Sequence, residues 1–66
     1  MFTIWNTHTK NLVLVVESAT AAESFCAKQA EVLNFGVYRK WVDGNATFYD
    51  CGPRTYKVKK GSTYND

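Results

Sequence analysis

Thr20-Ala21-Ala22-Glu23-Ser24-Phe25-Cys26-Ala27-Lys28-Gln29-Ala30-Glu31-Val32-Leu33-Asn34-Phe35-Gly36 is the one stretch of the chain with helical patterning. Ala22, Phe25, Cys26, Gln29, Ala30 and Leu33 follow i, i+3, i+4 order and form the stripe that a packed helix buries. Glu23, Ser24, Lys28 and Glu31 fall outside it. Thr20 and Glu23 have the spacing of a capping box, in which hydroxyl and carboxylate each take the other residue's amide proton. Gly36 accepts the left-handed backbone that stops a helix. The expected helix runs from about residue 20 to 34, roughly 21 Å long and 10 Å wide.

On both sides of the helix the pattern changes to strand. Residues 2–8 and 12–17 read as a hairpin joined by Thr9-Lys10-Asn11, with Asn11 left-handed in a three-residue turn. Pairing His8 with Leu12 puts Phe2, Ile4, Leu12, Leu14 and Val16 on one face. Thr3, Trp5, Thr7, Val13, Val15 and Glu17 then take the other. The run Leu12–Val16 is apolar on both faces, which suits a central strand. Residues 37–42 and 45–50 read as a second hairpin around Asp43-Gly44. Val37, Arg39, Trp41, Ala46 and Phe48 share one of its faces. Tyr38, Lys40, Val42, Thr47 and Tyr49 share the other. Cys51-Gly52-Pro53 breaks the strand, and residues 54–60 alternate again as an edge strand, Tyr56 and Val58 against Thr55, Lys57 and Lys59. The order is β-β-α-β-β-β: a small α+β domain over residues 1–60, an antiparallel sheet with one helix packed on one face. Residues 61–66 read as a polar tail.

A chain of 66 residues holds one domain at most. Its composition is globular, and no apolar run is long enough to cross a membrane. The net charge of +2 is unevenly placed. Residues 1–36 carry Lys10 and Lys28 against three glutamates, whereas residues 37–66 carry six cations against three aspartates. An anionic partner is therefore expected to meet the second half. Two cysteines, Cys26 and Cys51, are too few for a disulfide framework. With no basic and apolar leader at Met1-Phe2-Thr3, the expected setting is the cytoplasm with reduced thiols.

The catalytic constellations are weak. His8 and Cys51 lie far apart in sequence with no third group to orient them, and Asp50 next to Cys51 points oppositely on a strand. One His and two distant Cys do not make a metal site. The four scattered glycines make no phosphate loop. No enzyme, metal or cofactor is expected.

Geometry supplies the positive expectation. Five strands about 4.8 Å apart span about 20 Å, so one helix covers only one face. The open face is expected to be aromatic and rimmed by cations, and such patches mark interaction surfaces. The first reading is a non-enzymatic module that binds a protein partner, or its own copy as a homodimer, through Trp5, Tyr38, Lys40, Trp41 and Tyr49. Its mechanism would be steric occupation, as in an accessory or inhibitory protein of a virus or mobile element. The alternative reading is a nucleic-acid binder, with Arg39, Lys40, Arg54, Lys57, Lys59 and Lys60 on phosphates and Tyr38 or Tyr49 stacking on bases. Two bland readings compete with these. In one the lysines guard an edge strand; in the other the sheet curls and buries its aromatics.

Overall fold

The computed structural model describes residues 1–61; the rest of the expected polar tail lies outside the described residues. Five strands and one helix follow in order: β1 (Phe2–Asn6), β2 (Asn11–Val16), α1 (Ala19–Asn34), β3 (Arg39–Asp43), β4 (Ala46–Asp50) and β5 (Thr55–Lys60). All neighbouring strands are antiparallel in a single sheet of order β2-β1-β5-β4-β3. The expected α+β architecture, one helix on one sheet, is what forms. Gly61 donates its amide to the Met1 carbonyl at 2.8 Å, so it closes the sheet and does not begin the tail.

Two strands exchange the roles expected of them. β5 returns between β1 and β4 and is the central strand, not an edge. β2, apolar along its length, is an edge. Local alternation shows which side chains share a face. It does not show which strands become neighbours in space.

The helix stripe packs as its spacing dictates. Ala22, Cys26 and Ala30 are buried, and their small side chains let the helix sit close over Ile4, Tyr49, Tyr56 and Val58. Phe25 meets the Tyr56 ring edge-on at 5.6 Å, and the Tyr56 hydroxyl donates to Gln29. Cys51 donates its thiol proton to the Cys26 carbonyl at 3.3 Å. Both thiols are free and buried.

The caps differ from expectation. Ser18, in extended conformation, is the N-cap, and its Oγ accepts from the Ala21 amide. The helix thus starts ahead of Thr20, and Glu23 is released from capping to serve the sheet. At the other end both Phe35 and Gly36 are left-handed, and both amides turn back to the Ala30 carbonyl.

Both hairpins also close differently. Gly44-Asn45 forms the second turn, with Asp43 opposite Ala46. Only Gly44 has positive φ, the pattern of a II′ turn with glycine first. Moving the turn by one residue keeps the alternation in phase, so the two face groups within this hairpin stand. In the first hairpin Asn6 pairs with Asn11, and Lys10, not Asn11, is left-handed. The Asn6 Oδ1 accepts from the amides of His8 and Thr9 and fixes the loop. A bulge between Leu12 and Leu14 absorbs the difference and turns Leu12 to the side of Trp5.

Phe35 holds φ 57° while its side chain is 98% exposed. A left-handed backbone at a bulky residue is costly, and no packing offsets it. Phe35→Gly should therefore raise the unfolding free energy by about 0.5–1 kcal/mol. Urea unfolding measures this, and a loss of stability would show that the Phe35 side chain contributes to the fold.

Candidate functional site

The relative phase of the two hairpins decides what the uncovered face carries. Tyr49 pairs with Tyr56 and Ile4 with Val58, so these four share the helix side. Tyr38, Lys40 and Val42 follow Tyr49 by alternation and by pairing. The expectation that Tyr38, Lys40 and Tyr49 stand on the open face is corrected: Tyr49 is only 4% exposed, and all three are tied to the helix. The tie is Glu23. Its carboxylate accepts from the Lys40 ammonium at 2.9 Å, the Tyr38 hydroxyl at 3.2 Å and the Tyr49 hydroxyl at 3.3 Å.

The opposite face is built from cross-strand neighbours. Leu12 on β2 stands opposite Trp5 on β1, and Trp5 opposite Lys57 on β5. Lys57 stands opposite Phe48 on β4, and Phe48 opposite Trp41 on β3. One row thus crosses all five strands, with a lysine at its centre and aromatics on both flanks. Side chains at such cross-strand positions are in contact range. Trp41 and Phe48 stack with planes 5° apart and centroids 5.5 Å apart. The Lys57 ammonium lies 6.0 Å from the Phe48 centroid. The Trp5 indole N–H donates to the Thr3 hydroxyl at 2.9 Å, which leaves Thr3 buried beneath it.

The next row places Val15, Thr3, Lys59, Ala46 and Asp43 side by side. The Trp5 and Phe48 rings line a groove of about 410 Å3 together with Asn6, Thr7, Lys10, Lys57 and Lys59. Arg39 lies on the same face by alternation with Trp41. Lys60 falls on the helix side opposite Phe2, and Arg54 is exposed in the loop between β4 and β5.

Of the expected site residues, the sheet therefore gathers Trp5, Trp41, Arg39, Lys57 and Lys59 on one surface. It removes Tyr38, Lys40 and Tyr49 to the other, and it adds Phe48 and Leu12. Phe48 was legible as an aromatic alternating with Tyr49. What the sequence did not reveal was which of the two faces outward. The proposal that the lysines guard an edge does not apply to Lys57 and Lys59, because β5 has a partner on each side.

The shifted titratable groups lie around Glu23 and at the two cysteines. The Lys40 hydrogen bond, helped by the lysine charge and both phenols, holds the Glu23 carboxyl below its ordinary value. The hydrogen bond from Lys40 to Glu23 raises the lysine in turn. Burial, then Glu23, raises Tyr38 and Tyr49. Burial pushes the Cys26 thiol up to about 12 and raises Cys51 as well. A thiol kept protonated is a poor nucleophile. Among the described residues no group of His, Cys, Asp and Glu could hold a metal ion, and no helix is long and apolar enough to cross a membrane. Comparison with protein-family models, curated proteins and solved structures finds no match.

The Glu23 cluster gives the fold a pH dependence. A carboxyl held low stabilises the fold above its ordinary value and ceases to do so as pH falls through its lowered value. Phenols held high stabilise it fully below about pH 10 and lose that contribution as pH rises through their raised values. Glu23→Gln should flatten the acid side of the stability profile. It should also let Tyr38 and Tyr49 ionise at lower pH, followed by tyrosinate absorbance. An unchanged phenol titration would show that the carboxylate does not govern these hydroxyls.

Proposed function

We propose that the chain is a non-enzymatic module that binds single-stranded nucleic acid on its uncovered sheet face. The row Leu12–Trp5–Lys57–Phe48–Trp41 carries this reading. Single strands are held by aromatic rings that stack on bases and by cations that follow the backbone. Both occur here on one surface and alternate across it.

The geometry of β5 supports the match. Lys57 and Lys59 share a face two residues apart, about 6.8 Å at the rise of an antiparallel strand, a spacing comparable with successive phosphates of an extended strand. Trp5 and Phe48 flank that line on the neighbouring strands. A base entering the groove meets a ring on either side while its phosphates meet the lysines. Lys10 and Arg39 extend the cationic surface, against Asp43 and Asp50 on the same side of the sheet. Glu17, Glu23 and Glu31 are not in the two rows. A net charge of +2 suits a weak, salt-sensitive binder.

The other reading, a protein partner occupied sterically, rests on the same row. Large rigid aromatics anchor protein interfaces too, and a cationic face would select an acidic partner surface.

Titrating a short oligothymidylate at low salt, with tryptophan fluorescence as the readout, separates the two. Quenching is expected. With about four phosphates neutralised at ~0.7 each, log affinity should fall against log salt with a slope of about −3. Lys57→Gln should reduce that slope by roughly 0.7, and Phe48→Ala should weaken binding by about tenfold or more with little change in slope. No quenching at low salt sinks the nucleic-acid reading. Binding of an acidic peptide in its place would establish the protein reading.

A further inference from the structure

We propose that the chain pairs with a second copy of itself along the free edge of β2. The sheet has two outer strands, and they are unlike. β3 carries Arg39, Lys40 and Asp43, the kind of charge that keeps an edge from pairing. β2 reads Asn11-Leu12-Val13-Leu14-Val15-Val16, without a charge or a proline. Val13, Leu14 and Val15 remain exposed on it, although the two strand faces point opposite ways. Val16 of β2 packs against the core and Leu12 ends the row on the other face, but among the described residues no strand pairs with the outer edge of β2.

The charges that flank β2 identify the second copy as the occupant. Antiparallel pairing about a two-fold axis at Leu14 sets Leu14 against itself and Val13 against Val15 of the other copy. The bulge that takes up Leu12 against β1 shifts the count by one beyond that point. Asn11 then meets Val16, and Lys10 meets Glu17 of the other copy. Lys10 lines the groove on the uncovered face, and Glu17 follows Val15 by alternation to the same side. Opposite charges therefore meet at both ends of the seam, and between them every residue but Asn11 is apolar. A symmetric contact must be self-complementary in this way.

The two-fold axis stands normal to the sheet, so both helices lie on one side and both aromatic rows on the other. The dimer is a ten-stranded sheet whose uncovered faces run on into each other. This arrangement does not depend on what the row binds. The seam is short compared with about 800 Å2 per partner in a stable interface, so a dissociation constant in the micromolar range is expected.

Sedimentation equilibrium on the full chain, from low micromolar to millimolar, tests the proposal through a charge swap. Lys10 and Glu17 are exposed, so changing them leaves the core intact. Lys10→Glu and Glu17→Lys should each weaken dimerisation by about three- to tenfold, because each puts two like-charged pairs into the seam. The double variant K10E/E17K should recover the wild-type constant. Val15→Lys should abolish the dimer, while circular dichroism confirms that the variant remains folded. A wild-type monomer across the whole range overturns the proposal. So does a double variant as weak as the single ones, or a dimer broken by Trp41→Ser and untouched by Val15→Lys. Oligothymidylate titration of a Leu14→Lys monomer, altered on the helix side opposite Ile4, reads the sheet face separately, so failure of the dimer and failure of nucleic-acid binding are distinguishable.

Discussion

The insertion of β5 between β1 and β4 is the constraint from which the rest follows. Before it enters, the chain has two hairpins joined by a helix and no continuous sheet. Once paired on both sides, β5 fixes the phase of one hairpin against the other. Tyr56 and Val58 must go under the helix, because they are the apolar members of its alternation and α1 supplies the only apolar cover among the described residues. Lys57 and Lys59 then have no choice but the opposite side. Their partners in register, Trp5 and Phe48, go with them. The same pairing sends Tyr49 to the helix side and carries Tyr38 and Lys40 along. One alternating strand thereby sorts the side chains of four others.

Glu23 reports the same constraint from the helix. A carboxylate on the first turns of α1 would ordinarily serve its own backbone, as its spacing from Thr20 implies. Here Ser18 caps the helix, and Glu23 receives three donors, from Tyr38 just ahead of β3, Lys40 on β3 and Tyr49 on β4. This ties the N-terminal half of the helix to the second hairpin. The carboxylate is fairly exposed, so its worth as an ion pair is modest. Its larger effect is orientational. Two tyrosines can lie beneath a helix rim only if their hydroxyls find acceptors, and one carboxylate supplies both. The phenylalanine and tryptophan of this hairpin have no such need and face outward.

These particulars mark how far the sequence could be read. The helix stripe of Ala22, Cys26 and Ala30 was legible because period 3.6 is written in consecutive residues. The two faces of the second hairpin were legible for the same kind of reason. Period 2 survives a turn moved from Asp43-Gly44 to Gly44-Asn45. Leu12 was misplaced because a bulge breaks that period, and nothing in Leu12-Val13-Leu14 announces one. The outward set was assigned to Tyr38, Lys40 and Tyr49 because which side of the second hairpin meets the helix depends on contacts across 15 to 27 residues. The apolar run of β2 was taken for a central strand on the sound expectation that such a strand wants cover on both sides. That it forms an edge is the most informative departure, since it leaves the expectation unmet within one copy.

The shifted titratable groups of the chain serve its packing. An acid–base catalyst needs a group that exchanges protons near neutral pH. Each shifted group in this fold moves the wrong way: Glu23 down, Lys40 up, and the phenols and thiols up. Every one is thereby fixed in its ordinary charge state. Such groups hold structure together. On the other side of the sheet the stacked Trp41–Phe48 pair, the Trp5 indole and the lysines of β5 form a surface with shape, polarisable rings and charge. Rings with ammonium groups between them recognise flat, anionic partners without needing to react with them. The proposed function rests on the face that the single helix leaves uncovered.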